Sequence, residues 1–142
     1  MFDWWKKVVF DNYANFEGRA RRSEYWYFIL VNLLIFIIPA IIMVVGIEDS
    51  NGEGPLFYVG AGVLVLAGLI LFLPSLALAV RRLHDTGKSG WWYLIGVIPI
   101  VSYIGGLVLL VFYCTDGEAG TNKWGPNPKE GHQDQINEIG TE

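Results

Sequence analysis

The chain has 142 residues, enough for one domain and too few for two ordinary ones. Only 17% of them are charged and 53% are hydrophobic, against about 25% charge in a typical soluble domain, which excludes an ordinary water-soluble globule. The single cysteine, Cys114, excludes an intramolecular disulfide framework and a multi-cysteine metal site.

At the N-terminus, Phe2, Trp5, Val9, Tyr13 and Phe16 recur at steps of three and four. This spacing predicts an amphipathic helix over residues 1–18, lying in the headgroup plane and ended by Gly18. Ser23 and Glu24 then mark a helix start, one as a cap and the other as a charge complementing the helix dipole.

Three charge-free windows follow, at 25–47, 54–80 and 90–115. Each exceeds the roughly 20 residues that span a bilayer's hydrocarbon core. The expected fold is an all-α integral membrane protein with three transmembrane helices, over about 25–46, 56–80 and 91–113, preceded by the interfacial helix. Residues 19–128 would form the membrane domain. The first apolar run is too long for a cleavable signal peptide and is expected to stay as an anchor.

In the second run, Ala61, Gly68, Ser75 and Ala79 make a stripe of small residues for close helix packing. Pro74 predicts a kink, and Ser75 lies at a depth where it could meet Asn32 of the first run. The third run begins behind the cap Ser89, with Trp91, Trp92 and Tyr93 as an interfacial belt. Its "IPIVSYIGG" holds enough helix breakers for a re-entrant turn. A single kinked span is the simpler expectation, because one 23-residue helix crosses and two ten-residue halves do not. The remainder, 129–142, is acidic and expected to be disordered.

Charge is distributed unevenly. The first 24 residues hold Lys6, Lys7, Arg19, Arg21 and Arg22; the connector 48–53 holds three acids and no base; the next connector holds Arg81, Arg82 and Lys88. Basic residues beside spans stay in the cytoplasm, so a multi-pass protein with a cytoplasmic N-terminus is expected.

Four phrases occur in a fixed order: "FEGRARRSEYWYF", "RRLHDTGKSGWW", the apolar "LIGVIPIVSYIGGLVLLVF" and "GTNKWGPNP". Together they resemble the bacterial inner-membrane family known as domain of unknown function 805, over about residues 10–128. The resemblance implies a small integral protein of the bacterial cytoplasmic membrane and carries no established activity.

Two readings of the basic phrases stand side by side. In the first they are structural: Glu24, Arg81, Arg82 and Asp85 form an ion-pair network, since a charge left alone at a membrane edge costs more than a surface pair gains. Asp85, four residues after Arg81, could also pair with it along one helix. In the second, Arg21, Arg22, Arg81, Arg82, His84 and Lys88 converge on a phosphate or an anionic lipid headgroup. The expected function is accordingly a small non-enzymatic membrane protein that binds anionic lipid, a protein partner or a second copy through its basic cytoplasmic face. The alternative is an enzyme or transporter subunit acting on a phosphorylated or lipid substrate through His84 and Asp85. No phosphate loop, nucleophile elbow, HExxH or CxxC motif occurs, so no catalytic residue, metal or cofactor is expected. Nucleic acid is an improbable partner because the basic residues lie against the membrane. The apolar windows carry no ionisable residue of the kind that lines ion pathways.

Overall fold

A computed structural model describes residues 2–48 and 52–130. The acidic segment expected at 129–142 lies outside the described residues from 131 onward. The described chain falls into two compact units, residues 2–13 with 27–75 and residues 14–26 with 76–130. Helix α1 (Phe2–Lys6) continues into a π-helical turn, Lys7–Asp11. Two long helices follow, α2 (Arg22–Val45) and α3 (Pro55–Asp85). Between them, two-residue strands β1 (Ile47–Glu48) and β2 (Gly52–Glu53) pair antiparallel. A 3₁₀ segment (Gly90–Gly96) and helix α4 (Ser102–Cys114) complete the helical elements.

α2 and α3 have 24 and 31 residues, about 36 and 46 Å at 1.5 Å per residue, so both exceed a 30 Å hydrocarbon core. Their most apolar stretches are only 22% and 28% buried. A soluble protein would be expected to bury such faces; here they are left largely exposed.

In the first unit the N-terminal turns are tied down by hydrogen bonds. Trp5 Nε1 donates to Asn32 Oδ1 at 2.9 Å, which satisfies a polar side chain that is otherwise buried. Pro74, lacking an N–H, leaves the carbonyl of Ile70 without its helical donor. The Tyr13 hydroxyl donates to that carbonyl at 2.7 Å. Ser75 Oγ turns back to the carbonyl of Leu71, so Asn32 and Ser75 do not meet. The helical turns end at Asp11 and Asn12 leaves helical geometry, seven residues before Gly18. Val8, off the expected apolar stripe, is the residue fully buried there. The close helix approach also falls elsewhere than expected. A side chain at Gly60 would press on the backbone of Pro39 and Met43, whereas Gly68 faces open space.

The second unit corrects the reading of the third apolar run. Residues 91–113 do not form one kinked span. The rings of Trp92 and Phe112 lie 5.5 Å apart, edge to face, whereas twenty residues of continuous helix would separate them by about 30 Å. The 3₁₀ segment and α4 are two legs of a hairpin. Pro99 supplies no donor at the turn, and Ile100 adopts φ 74°, a left-handed conformation costing a β-branched residue about 1–3 kcal/mol. The legs can close because Gly105 lies against the carbonyl of Ile95, where any side chain would collide. Ala79, Leu83, Leu109 and Tyr113 form the apolar core of this unit, with Tyr25, Tyr93, Ile95 and Phe112 packed on it.

Candidate functional site

The C-terminal end of α3 sets the site. Gly87, at φ 72°, ends the helix with paired bonds from Lys88 N to Leu83 O at 2.9 Å and from Gly87 N to His84 O at 3.1 Å. This is the six-to-one and five-to-two pattern of a Schellman motif, for which glycine suits the left-handed position. The stop fixes Arg81, Arg82, His84 and Asp85 in one helical turn. α2 contributes Glu24 from its own first turn.

Arg82 is 0% exposed, Glu24 and Asp85 2% each, and Arg81 4%. Arg81 Nη1 reaches Glu24 Oε1 at 3.3 Å. Arg82 pairs with Asp85 three residues on, so Asp85 is not the partner of Arg81 four residues before it. The second cation on Asp85 is Arg19, whose Nε lies 2.9 Å from Oδ1. The remaining donors of Arg82 and Arg19 are spent largely on carbonyls, whereas Nε and Nη2 of Arg81 are buried with no hydrogen-bond partner among the described residues. Arg82 donates to Ala20, Tyr113 and Thr115; Arg19 donates to Gly120 and Glu118. Planar guanidinium groups with several fixed donors can bridge so many chain segments, and a lysine in their place could not.

The chain after α4 folds onto the same cluster. Glu118 N donates to Asp85 O at 2.8 Å, Arg21 donates to the carbonyl of Pro128, and Asn122 Nδ2 donates to His84 O at 3.0 Å. Trp124 stacks on the His84 ring, with centroids 4.6 Å apart and planes at 9°. Nδ1 of His84 lies 3.2 Å from Gly18 O. On the surface, Arg22 and Lys129 both reach Asp116 at 3.0 Å. The Lys129 ammonium, then the Arg22 guanidinium, holds the Asp116 carboxyl below the usual carboxylate range. Lys88 lies over the Phe112 ring.

The six cationic candidates therefore do not converge on a common open space. Arg81 and Arg82 point into the unit, Arg21 and Arg22 reach the segment after α4, Lys88 meets an aromatic ring, and His84 lies under Trp124. Asp85, bound by two arginines, is not a free base. Arg19, Glu118, Asn122 and Trp124 were missed as members of this cluster. The signal for them was the co-occurrence of "FEGRARRSE", "RRLHD" and "GTNKWGPNP", which no local spacing rule joins. Among the described residues no cluster of three or more His, Cys, Asp or Glu is arranged to hold a metal.

Beside the cluster runs an apolar groove of about 440 Å³, with Leu76, Val80, Trp91 and Leu94 along it and His84, Ser89 and Tyr93 as the polar residues of its lining.

Two helices of spanning length, an apolar hairpin and a buried guanidinium–carboxylate cluster define a small helical membrane protein. The profile of the family described as a protein of unknown function (DUF805) matches residues 13–126, and the chain belongs to that family. It is 44% identical over 128 residues to the inner membrane protein YhaH of Escherichia coli K12 and 47% identical over 128 residues to the inner membrane protein YhaI of the same strain. Each alignment covers 89% of this chain and 97% of the relative. No solved structure matches.

Proposed function

We propose that this is a non-enzymatic protein of the bacterial inner membrane that recognises anionic lipid at its cytoplasmic face. α2 and α3 each cross the bilayer. The apolar hairpin enters from the cytoplasmic side and returns to it, so the segments at 14–26 and 116–130 are both cytoplasmic, while the acidic connector 48–53 lies outside. The clustering of basic residues at one end of the two crossings supports this orientation.

One observation carries the lipid reading: the charge left over after internal pairing. Residues 14–26 and 76–130 hold eight Lys and Arg against six Asp and Glu. Arg19 and Arg82 are consumed by the fold, and Arg81 is paired with Glu24. Arg21, Lys88 and Lys123 have no carboxylate partner among the described residues; their contacts are a carbonyl and two aromatic rings. The excess of two arises where two cations share one carboxylate, at Asp85 and at Asp116; Arg21, Lys88 and Lys123 are the cations free to face a membrane, and each cation near an anionic membrane surface contributes about 1 kcal/mol of attraction.

Native mass spectrometry of the detergent-purified chain, offered equal phosphatidylglycerol and phosphatidylethanolamine, tests the reading. The phosphatidylglycerol adduct should dominate and should fall in the triple variant Arg21→Gln, Lys88→Gln, Lys123→Gln. Equal retention of both lipids by the natural chain would refute lipid recognition.

A further inference from the structure

Resting on the reading of anionic-lipid recognition, the groove on the second unit assigns that recognition to a place: we propose that it holds one acyl chain of an anionic phospholipid, with the phosphate at its His84–Ser89 end. Leu76 and Val80 are four apart on α3, and with His84 they make one stripe that is apolar for two positions and polar at the third. Trp91 and Leu94 of the 3₁₀ segment form the opposite wall. Trp91 is 75% exposed, so this wall is unpartnered by the protein. Gly90 closes one side, where an added Cβ would lie 2.7 Å from Val80 Cγ1.

The polarity of the groove runs in the direction a lipid requires. Its apolar part lies along the stretch of α3 that precedes Arg81, and its polar part lies at the helix end. One of the three cations without a carboxylate partner, Lys123, adjoins that polar part, whereas Lys88 carries its ammonium over the Phe112 ring. The Nζ of Lys123 lies 4.1 Å from the Trp124 ring centroid, and Trp124 is stacked on His84. A volume of about 440 Å³ is within the range of roughly 300–1,000 Å³ typical of sites for small molecules. An uncharged apolar occupant would leave Lys123 unused; a free phosphate would leave the apolar walls bare. An anionic amphiphile meets both.

The test uses the full chain in detergent with phosphatidylglycerol, phosphatidylethanolamine and free glycerol phosphate as probes. One phosphatidylglycerol should be retained and glycerol phosphate should not. Leu94→Trp, which fills the groove without altering charge, should lower retention by about tenfold, equivalent to roughly 1.4 kcal/mol. Phosphatidylglycerol with a photoreactive acyl chain should crosslink the unmodified protein within 76–80 and 91–94, an outcome independent of whether the variant folds. If a folded Leu94→Trp keeps its phosphatidylglycerol, or if crosslinks fall elsewhere while the preference for phosphatidylglycerol persists, the groove assignment is overturned and lipid recognition by the basic face survives. If the natural chain shows no preference for phosphatidylglycerol, both fail.

Discussion

Arg82 shows how far a single side chain can hold a membrane-edge fold together. It ends on one carboxylate and three carbonyls drawn from three stretches of chain. Removing one partner from a buried ion pair typically costs about 3–5 kcal/mol, so Arg82→Met should melt far below the natural protein in a thermal scan followed by circular dichroism. Arg82→Lys should not restore it, because a point charge cannot fill the fork. Arg81, which makes one hydrogen bond, to Glu24 at 3.3 Å, and leaves Nε and Nη2 without a partner among the described residues, should tolerate the same change to Met better. Equal losses at 81 and 82 would contradict this ordering. Asp116 is a milder case. Its depressed pKa means that its pairs with Lys129 and Arg22 add stability above the ordinary carboxylate range and lose it as pH falls through the folded-state value. Carbon-13 titration of its carboxyl should show a midpoint that rises in Lys129→Ala. At this scale the sequence was partly legible. Glu24 and the arginine pair are unusual in an apolar chain and stand out at once. The preference of Asp85 for Arg82 and Arg19 over Arg81 was not, because it depends on where residues 19–20 and 113–115 return.

At the scale of elements, glycine and proline decide the packing. Gly105 and Gly106 are adjacent and chemically identical, yet only Gly105 faces the carbonyl of Ile95, while Gly106 faces open space. Gly105→Val should therefore destabilise by the roughly 1–3 kcal/mol of an overpacked contact, or prevent hairpin closure outright. Gly106→Val should be close to neutral in the same melting assay. Comparable effects at both positions would argue against the hairpin. The long helices, their ends and the Ser89 cap could be read locally, since length, hydropathy and capping are properties of short windows. The hairpin could not. "IPIVSYIGG" contains the breakers for a return, but a kinked span satisfies the same residues, and only contacts between the two legs, Trp92 with Phe112 and Gly105 with Ile95, separate the two. The exchange of Gly60 for Gly68 at the close approach has a similar origin. Several small residues are available along α3, and the rotation of the helix chooses among them.

At the scale of the molecule, the returning hairpin decides sidedness. If the third apolar run crossed once, "GTNKWGPNP" would be on the face opposite the arginines. Instead Trp124 stacks on His84, and Arg21 bonds to Pro128. The three polar phrases that carry the family resemblance thus meet in one cluster, and the apolar phrase forms the hairpin of the same unit. The joint occurrence of the three has a physical reason: each supplies either a charge or the carbonyls that satisfy it. The consequence for topology is direct. A reporter that fluoresces only in the cytoplasm and one that is enzymatically active only outside the inner membrane, each fused to the C-terminus of the full chain, decide it. A returning hairpin gives bright fluorescence and no external activity; an active external reporter with no fluorescence would contradict it.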